Sequence, residues 1–225
     1  MKNIRTLRTA TLLLPVAAAL LAATFSAVPA IAQGGGDNDP DRAVSAGGQF
    51  PAGWSARPDR GTASQIVFTL ANNVFHFTMG PAATFSNPGW TKSGDYKFSA
   101  RVSQVKAPTH PVSYGLMIGG SSLAGDNPLY SYFLVRNQGE FFIANREGAQ
   151  RPVIVDWTAN PVIHKQAADG KQSNVLGIQV QGADVIFTVN GTEVTKLPKS
   201  KLHTDGLNGF RVGHNIDVEI DQVSR

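Results

Sequence analysis

No window of this chain beyond about residue 50 sustains the three-to-four-residue apolar period of an amphipathic helix over several turns. Short stretches alternate between apolar and polar residues instead, and Gly, Asn and Pro punctuate them. Ile66, Phe68 and Leu70 alternate with Val67, Thr69 and Ala71. Asn72-Asn73 then turns the chain into Val74–Met79, which Gly80-Pro81 ends. Further strands are expected at Tyr96–Val102, Val112–Ile118, Leu129–Arg136, Glu140–Asn145 and Val153–Val155. In the last third, strands are read through Val175, Ile178 and Val180, from Val185 to Val189, and over Phe210–Gly213 and Ile216–Val223. Gly182-Ala183-Asp184 and the two-residue signal Asn190-Gly191 mark turns between them. Strands at this spacing with such turns predict an all-β sandwich or barrel. An outer-membrane barrel would need aromatic girdles, for which three Trp and four Tyr are few.

The first 32 residues read differently. Lys2, Arg5 and Arg8 precede a small, apolar run from Ala10 to Ala23, and Ala30-Ile31-Ala32 forms an Ala-x-Ala cleavage pattern before Gln33. The run is short for a bilayer span, and no cysteine stands at the cleavage point to take a lipid. Residues 1–32 are therefore expected to be a signal peptide, with the mature chain periplasmic or extracellular and without a transmembrane anchor. That segment holds three of the chain's 20 basic residues and none of its 16 acidic ones, which leaves 17 against 16. Nucleic acid is an unsuitable partner for so balanced a chain. The protein has no cysteine, so disulfides and thiolate metal sites are excluded, and a large core must supply the stability.

Residues 33–48, rich in Gly and Asp, are expected to form a flexible tail before one domain over 49–225. Asp37, Asp39 and Asp41 suggest a structural calcium. They lack the fixed ligand spacing and closing bidentate Glu of a calcium loop, so no cofactor is assigned.

Two segments resemble the concanavalin A-like lectin/glucanase jelly roll, in particular its bacterial secreted branch related to family 16 glycoside hydrolases and 3-keto-disaccharide hydrolases. One comprises Tyr114-Gly115-Leu116-Met117-Ile118, Tyr130 to Arg136, Gly139-Glu140-Phe141 and Val155-Asp156-Trp157. The other runs from Asn174-Val175-Leu176 through Val185 to Asn190-Gly191, and from Gly209-Phe210-Arg211-Val212-Gly213 to the end. The resemblance covers about residues 50–225 and implies a jelly-roll sandwich of two antiparallel sheets whose partner is a glycan or a cell-surface component.

Two sites are candidates. In Asp217-Val218-Glu219-Ile220-Asp221, period 2 puts three carboxylates on one strand face and Val218 and Ile220 on the other. Glycosidases need a carboxylate pair, and glucanases of the resembled superfamily carry Glu, Asp and Glu at alternate positions. Here the order is Asp, Glu, Asp, and the segment closes the chain. The expected arrangement is a last strand with its acids in water, and a hydrolase acting through Glu219 with Asp217 or Asp221 is the alternative. Sugar recognition needs aromatic faces beside planar hydrogen-bonding groups, for which Tyr114, Tyr130, Tyr132, Arg136, Arg146 and Trp157 are the candidates. Tyr130, Tyr132, Leu134 and Arg136 share one strand face, and Ser131, Phe133 and Val135 the other. The five histidines show no close metal-ligand spacing. The reading is a secreted, non-catalytic carbohydrate-binding or surface-interaction module.

Overall fold

The computed structural model describes residues 39–225, so the signal-like segment and the tail up to residue 38 lie outside the described residues. Pro40–Arg225 forms one compact unit. Two seven-stranded antiparallel sheets stack face to face. The first, sheet I, is ordered β1-β4-β13-β6-β7-β8-β9, from Ser55–Pro58, Ala83–Lys92, Gly206–Val212, Ser113–Ser121, Leu129–Arg136, Glu140–Glu147 and Val153–Ala159. The second, sheet II, is ordered β12-β11-β10-β5-β14-β3-β2, from Thr192–Pro198, Asp184–Val189, Gln172–Gln181, Tyr96–Gln104, Asp217–Ser224, Val74–Met79 and Ile66–Ala71. The only helical turns among the described residues are two three-residue 3-10 turns. None of the described helices is long and apolar enough to cross a membrane. The expected jelly-roll sandwich is the observed architecture.

Local chemistry accounts for the tight hairpins. Ala71 pairs with Val74, so Asn72 and Asn73 alone make the turn, both at positive φ (51° and 61°). Asn190 (51°) and Gly191 (82°) do the same between Val189 and Thr192. Turns with two positive φ values match the twist of the strands they join, and Asn and Gly tolerate that conformation best. β1, β4 and β12 escape the sequence reading. In β4, Asn87-Pro88-Gly89 looks like a turn. The strand carries these residues as a bulge, because its register to β13 slips between Leu207 and Gly209. Gly209 is required there, since a Cβ would collide with the Phe85 carbonyl oxygen.

The core between the sheets is strongly aromatic. Phe210 stacks on Trp54 (5.5 Å, 9°) and also meets Phe75, Phe77, Trp90 and Phe98. Inward positions of β14, Val218 and Ile220, are fully buried as expected. Residues 40–48, expected as part of a loose tail, are fastened to this body. Arg42 binds both carboxylate oxygens of Asp217 at 3.0 Å and donates to the carbonyls of Met79 (2.7 Å) and Ile216 (2.8 Å). Its backbone N–H donates to the Asn215 side chain, whose amide returns a bond to the Pro40 carbonyl. One guanidinium thus satisfies four acceptor atoms, which holds the segment in place.

Candidate functional site

The outward face of sheet I carries a second apolar cluster, separate from the core: Met117, Tyr130, Tyr132, Leu134, Phe142 and Ala144, with Leu123 and Trp157 partly buried against them. Strand register assembles it. Tyr132 lies opposite Met117 and Ala144, Leu134 opposite Phe142, and Tyr130 opposite Arg146. Phe133 and Val135 point the other way, into the core, as the alternation predicts. The rings form a ladder from Tyr130 to Tyr132 (5.8 Å), Phe142 (6.1 Å) and Trp157 (5.0 Å, stacked). The Arg136 guanidinium lies 4.3 Å from the centre of the Trp157 ring, and its Nε donates to Glu140 at 2.6 Å. The cation is thereby placed against an aromatic face and held there by a carboxylate.

Five of the six predicted sugar-contacting residues meet on this face. Tyr114 does not. It is fully buried between the sheets, and its hydroxyl donates to Gln172. Burial pushes that phenol well above the ordinary tyrosine pKa. Because β6 is buried on both faces, a hydroxyl inside needs an inward partner, and Gln172 on the facing sheet supplies it.

Arginines absent from the sequence candidates frame the ladder. Arg211 pairs with Asp59, and Thr84 beside it bonds the Tyr130 hydroxyl at 3.2 Å. Burial opposes the Arg211 charge, but Asp59 outweighs it and raises the guanidinium pKa. Burial likewise opposes the Asp59 charge, yet Arg211, with Arg151 and Arg146, holds that carboxyl below its usual range. Arg57 is held by the carbonyls of Leu123 and Gly125 at 2.9 and 2.7 Å. Arg146 differs from these. It is half-buried opposite Tyr130, and its guanidinium makes no hydrogen bond or close ion pair among the described residues, acting on Asp59 through space.

The acidic strand faces outward from sheet II and is arranged unlike a catalytic pair. Asp217, expected in water, is buried under Arg42 and Lys106. Burial would raise its pKa, but bonds from Arg42, Lys106 and Thr78 bring it down to about 2. Asp221 is bound by Arg101 through both oxygens. Glu219 is left half-exposed, 3.7 Å from His76 on β3. Two depressions flank it, and no Phe, Tyr or Trp lines either. The second includes Asp169, which is 3.8 Å from Lys171. Asp41, one of the three carboxylates considered for calcium, has both oxygens on Arg60 at 2.8 Å, and Asp37 lies outside the described residues.

No protein-family model matches the chain, and no curated protein does. Solved structures do match. The carbohydrate binding module CBM66 from Bacillus subtilis aligns with a TM-score of 0.55 at 13% identity, over 81% of this chain and 98% of that one. A structure described as a native glycosidic hydrolase aligns with a TM-score of 0.50 at 11% identity, over 76% and 88%. The fold these structures share with the chain is a two-sheet jelly-roll sandwich. At these identities the likeness concerns the jelly roll itself, which hosts both binding modules and enzymes, so function has to be argued from the faces described above.

Proposed function

We propose that this protein is a secreted, non-catalytic carbohydrate-binding module, and that the outward face of β6–β9 is its binding surface. The observation that carries the reading is Arg146. A half-buried guanidinium with no hydrogen-bond partner among the described residues retains its donors for a ligand, and it stands beside the tyrosine end of an aromatic ladder. Sugar rings present apolar faces to aromatic side chains and hydroxyls to planar donors, so Arg146 and the partly accessible Trp157 suit a saccharide. The signal-like first 32 residues support an extracytoplasmic address. The similarity in fold to a bacterial carbohydrate binding module supports the substrate class. Against hydrolysis through Glu219 stands the engagement of both neighbouring acids, Asp217 and Asp221, by basic side chains.

Screening the tag-free protein on a glycan array tests the reading, followed by titration of the best ligand. Arg146→Ala and Trp157→Ala are each expected to weaken binding at least about tenfold, the equivalent of about 1.4 kcal/mol, with little change in thermal midpoint. Silence across neutral and acidic glycans, or undiminished binding by both variants, overturns it.

A further inference from the structure

We propose that His110 and His214 form a two-histidine site for a divalent transition-metal ion, one that accepts neighbouring nitrogens at a right angle. The two residues are 104 positions apart, yet the loop after β5 and the turn between β13 and β14 bring their Nε2 atoms to 2.8 Å. Two metal–nitrogen bonds of about 2.0–2.1 Å meeting at a right angle place the nitrogens about 2.9 Å apart, whereas a tetrahedral angle needs about 3.3 Å. The observed spacing therefore matches the tetragonal or octahedral preferences of Cu2+ and Ni2+. Zn2+ requires the rings to open by about 0.5 Å.

The outer nitrogens are also provided for. Nδ1 of His110 lies 3.1 Å from the Thr109 hydroxyl, and Nδ1 of His214 lies 3.4 Å from Asp41 Oδ1 and 3.3 Å from Arg60 Nη2. Without an ion, two neutral imidazoles this close share one N–H between their Nε2 atoms. For coordination this proton moves to Nδ1 of the same ring, where Thr109 or Asp41 can accept it, so that both Nε2 lone pairs face the ion. A carboxylate on the far nitrogen of a ligating histidine fixes its tautomer and raises its basicity. Arg60 holds Asp41 in that position with two bonds at 2.8 Å.

The test titrates Cu2+, Ni2+ and Zn2+ separately into the tag-free, chelator-treated full chain by calorimetry. The expected result is one ion per chain, with affinity falling from Cu2+ to Ni2+ to Zn2+. His110→Gln and His214→Gln are each expected to lose about 30-fold or more in Ni2+ affinity, while His164→Gln, in a separate loop, loses none. Electron paramagnetic resonance of the Cu2+-loaded wild type reads the site independently of any variant's folding, and two imidazole nitrogens are expected in its hyperfine pattern. Absence of binding up to about 1 mM, a Cu2+ spectrum without two imidazole nitrogens, or unchanged Ni2+ affinity in both variants overturns the assignment.

Discussion

The two outward faces of this sandwich differ in the side chains they present. On sheet II, outward positions such as Thr69, His76, Ser173 and Glu219 are polar, and strands β10 and β11 alternate strictly between buried and accessible residues. On sheet I, β6 and β7 are buried on both faces, because Met117, Tyr130, Tyr132 and Leu134 pack outside the sheet as Phe133 and Val135 pack within it. One face meets water and the other carries its own apolar layer framed by arginines. Most of that layer is itself buried, and Trp157 is its most accessible ring.

The comparison breaks most easily through the rings. Phe210→Ala, in the core, is expected to cost about 3–5 kcal/mol in urea unfolding. Phe142→Ala, in the outer layer, should cost about 1–2 kcal/mol less, because the neighbouring side chains can relax toward solvent. Equal costs would make the outer layer a second core and remove its claim to be a contact surface.

Arg42→Ala tests the polar counterpart on sheet II, with an expected loss of about 2–3 kcal/mol, since Asp217 would keep Lys106 alone among its basic partners. The folded pKa of Asp217 is depressed to about 2 from 3.8. Its carboxylate therefore contributes fully above about pH 4, and the contribution disappears as pH falls toward 2. Urea midpoints between pH 2 and 7 should show this acid loss in the wild type and a flatter profile in the variant. An unchanged profile would mean that other carboxylates govern acid unfolding.

Smaller still is the expected effect of Glu219→Gln, within about 0.5 kcal/mol in stability and without change in glycan binding. A clear loss of binding, or of any hydrolysis found, would move the functional surface to sheet II.

Much of the architecture was legible because its signals are local. Period-2 alternation identified most of the strands, and Asn72-Asn73 and Asn190-Gly191 marked their turns, since positive φ is a preference of the residue itself. The Tyr130–Arg136 row was readable for the same reason. β4 was not, because a bulge that follows from pairing with β13 has the same local signature as a turn.

By itself, the sequence determined the all-β class, the hairpin turns and which residues of each strand share a face, all properties of neighbours a few positions apart. Tertiary structure alone decided which face meets the other sheet. It sent Tyr114 inward to Gln172 while leaving Tyr130, Tyr132, Arg136, Arg146 and Trp157 on one outer surface. It also fastened Arg42 to Asp217 across 175 positions and set His110 against His214 across 104. Such pairings depend on strand order and on the stacking of two sheets, and neither is encoded in the period of any single strand.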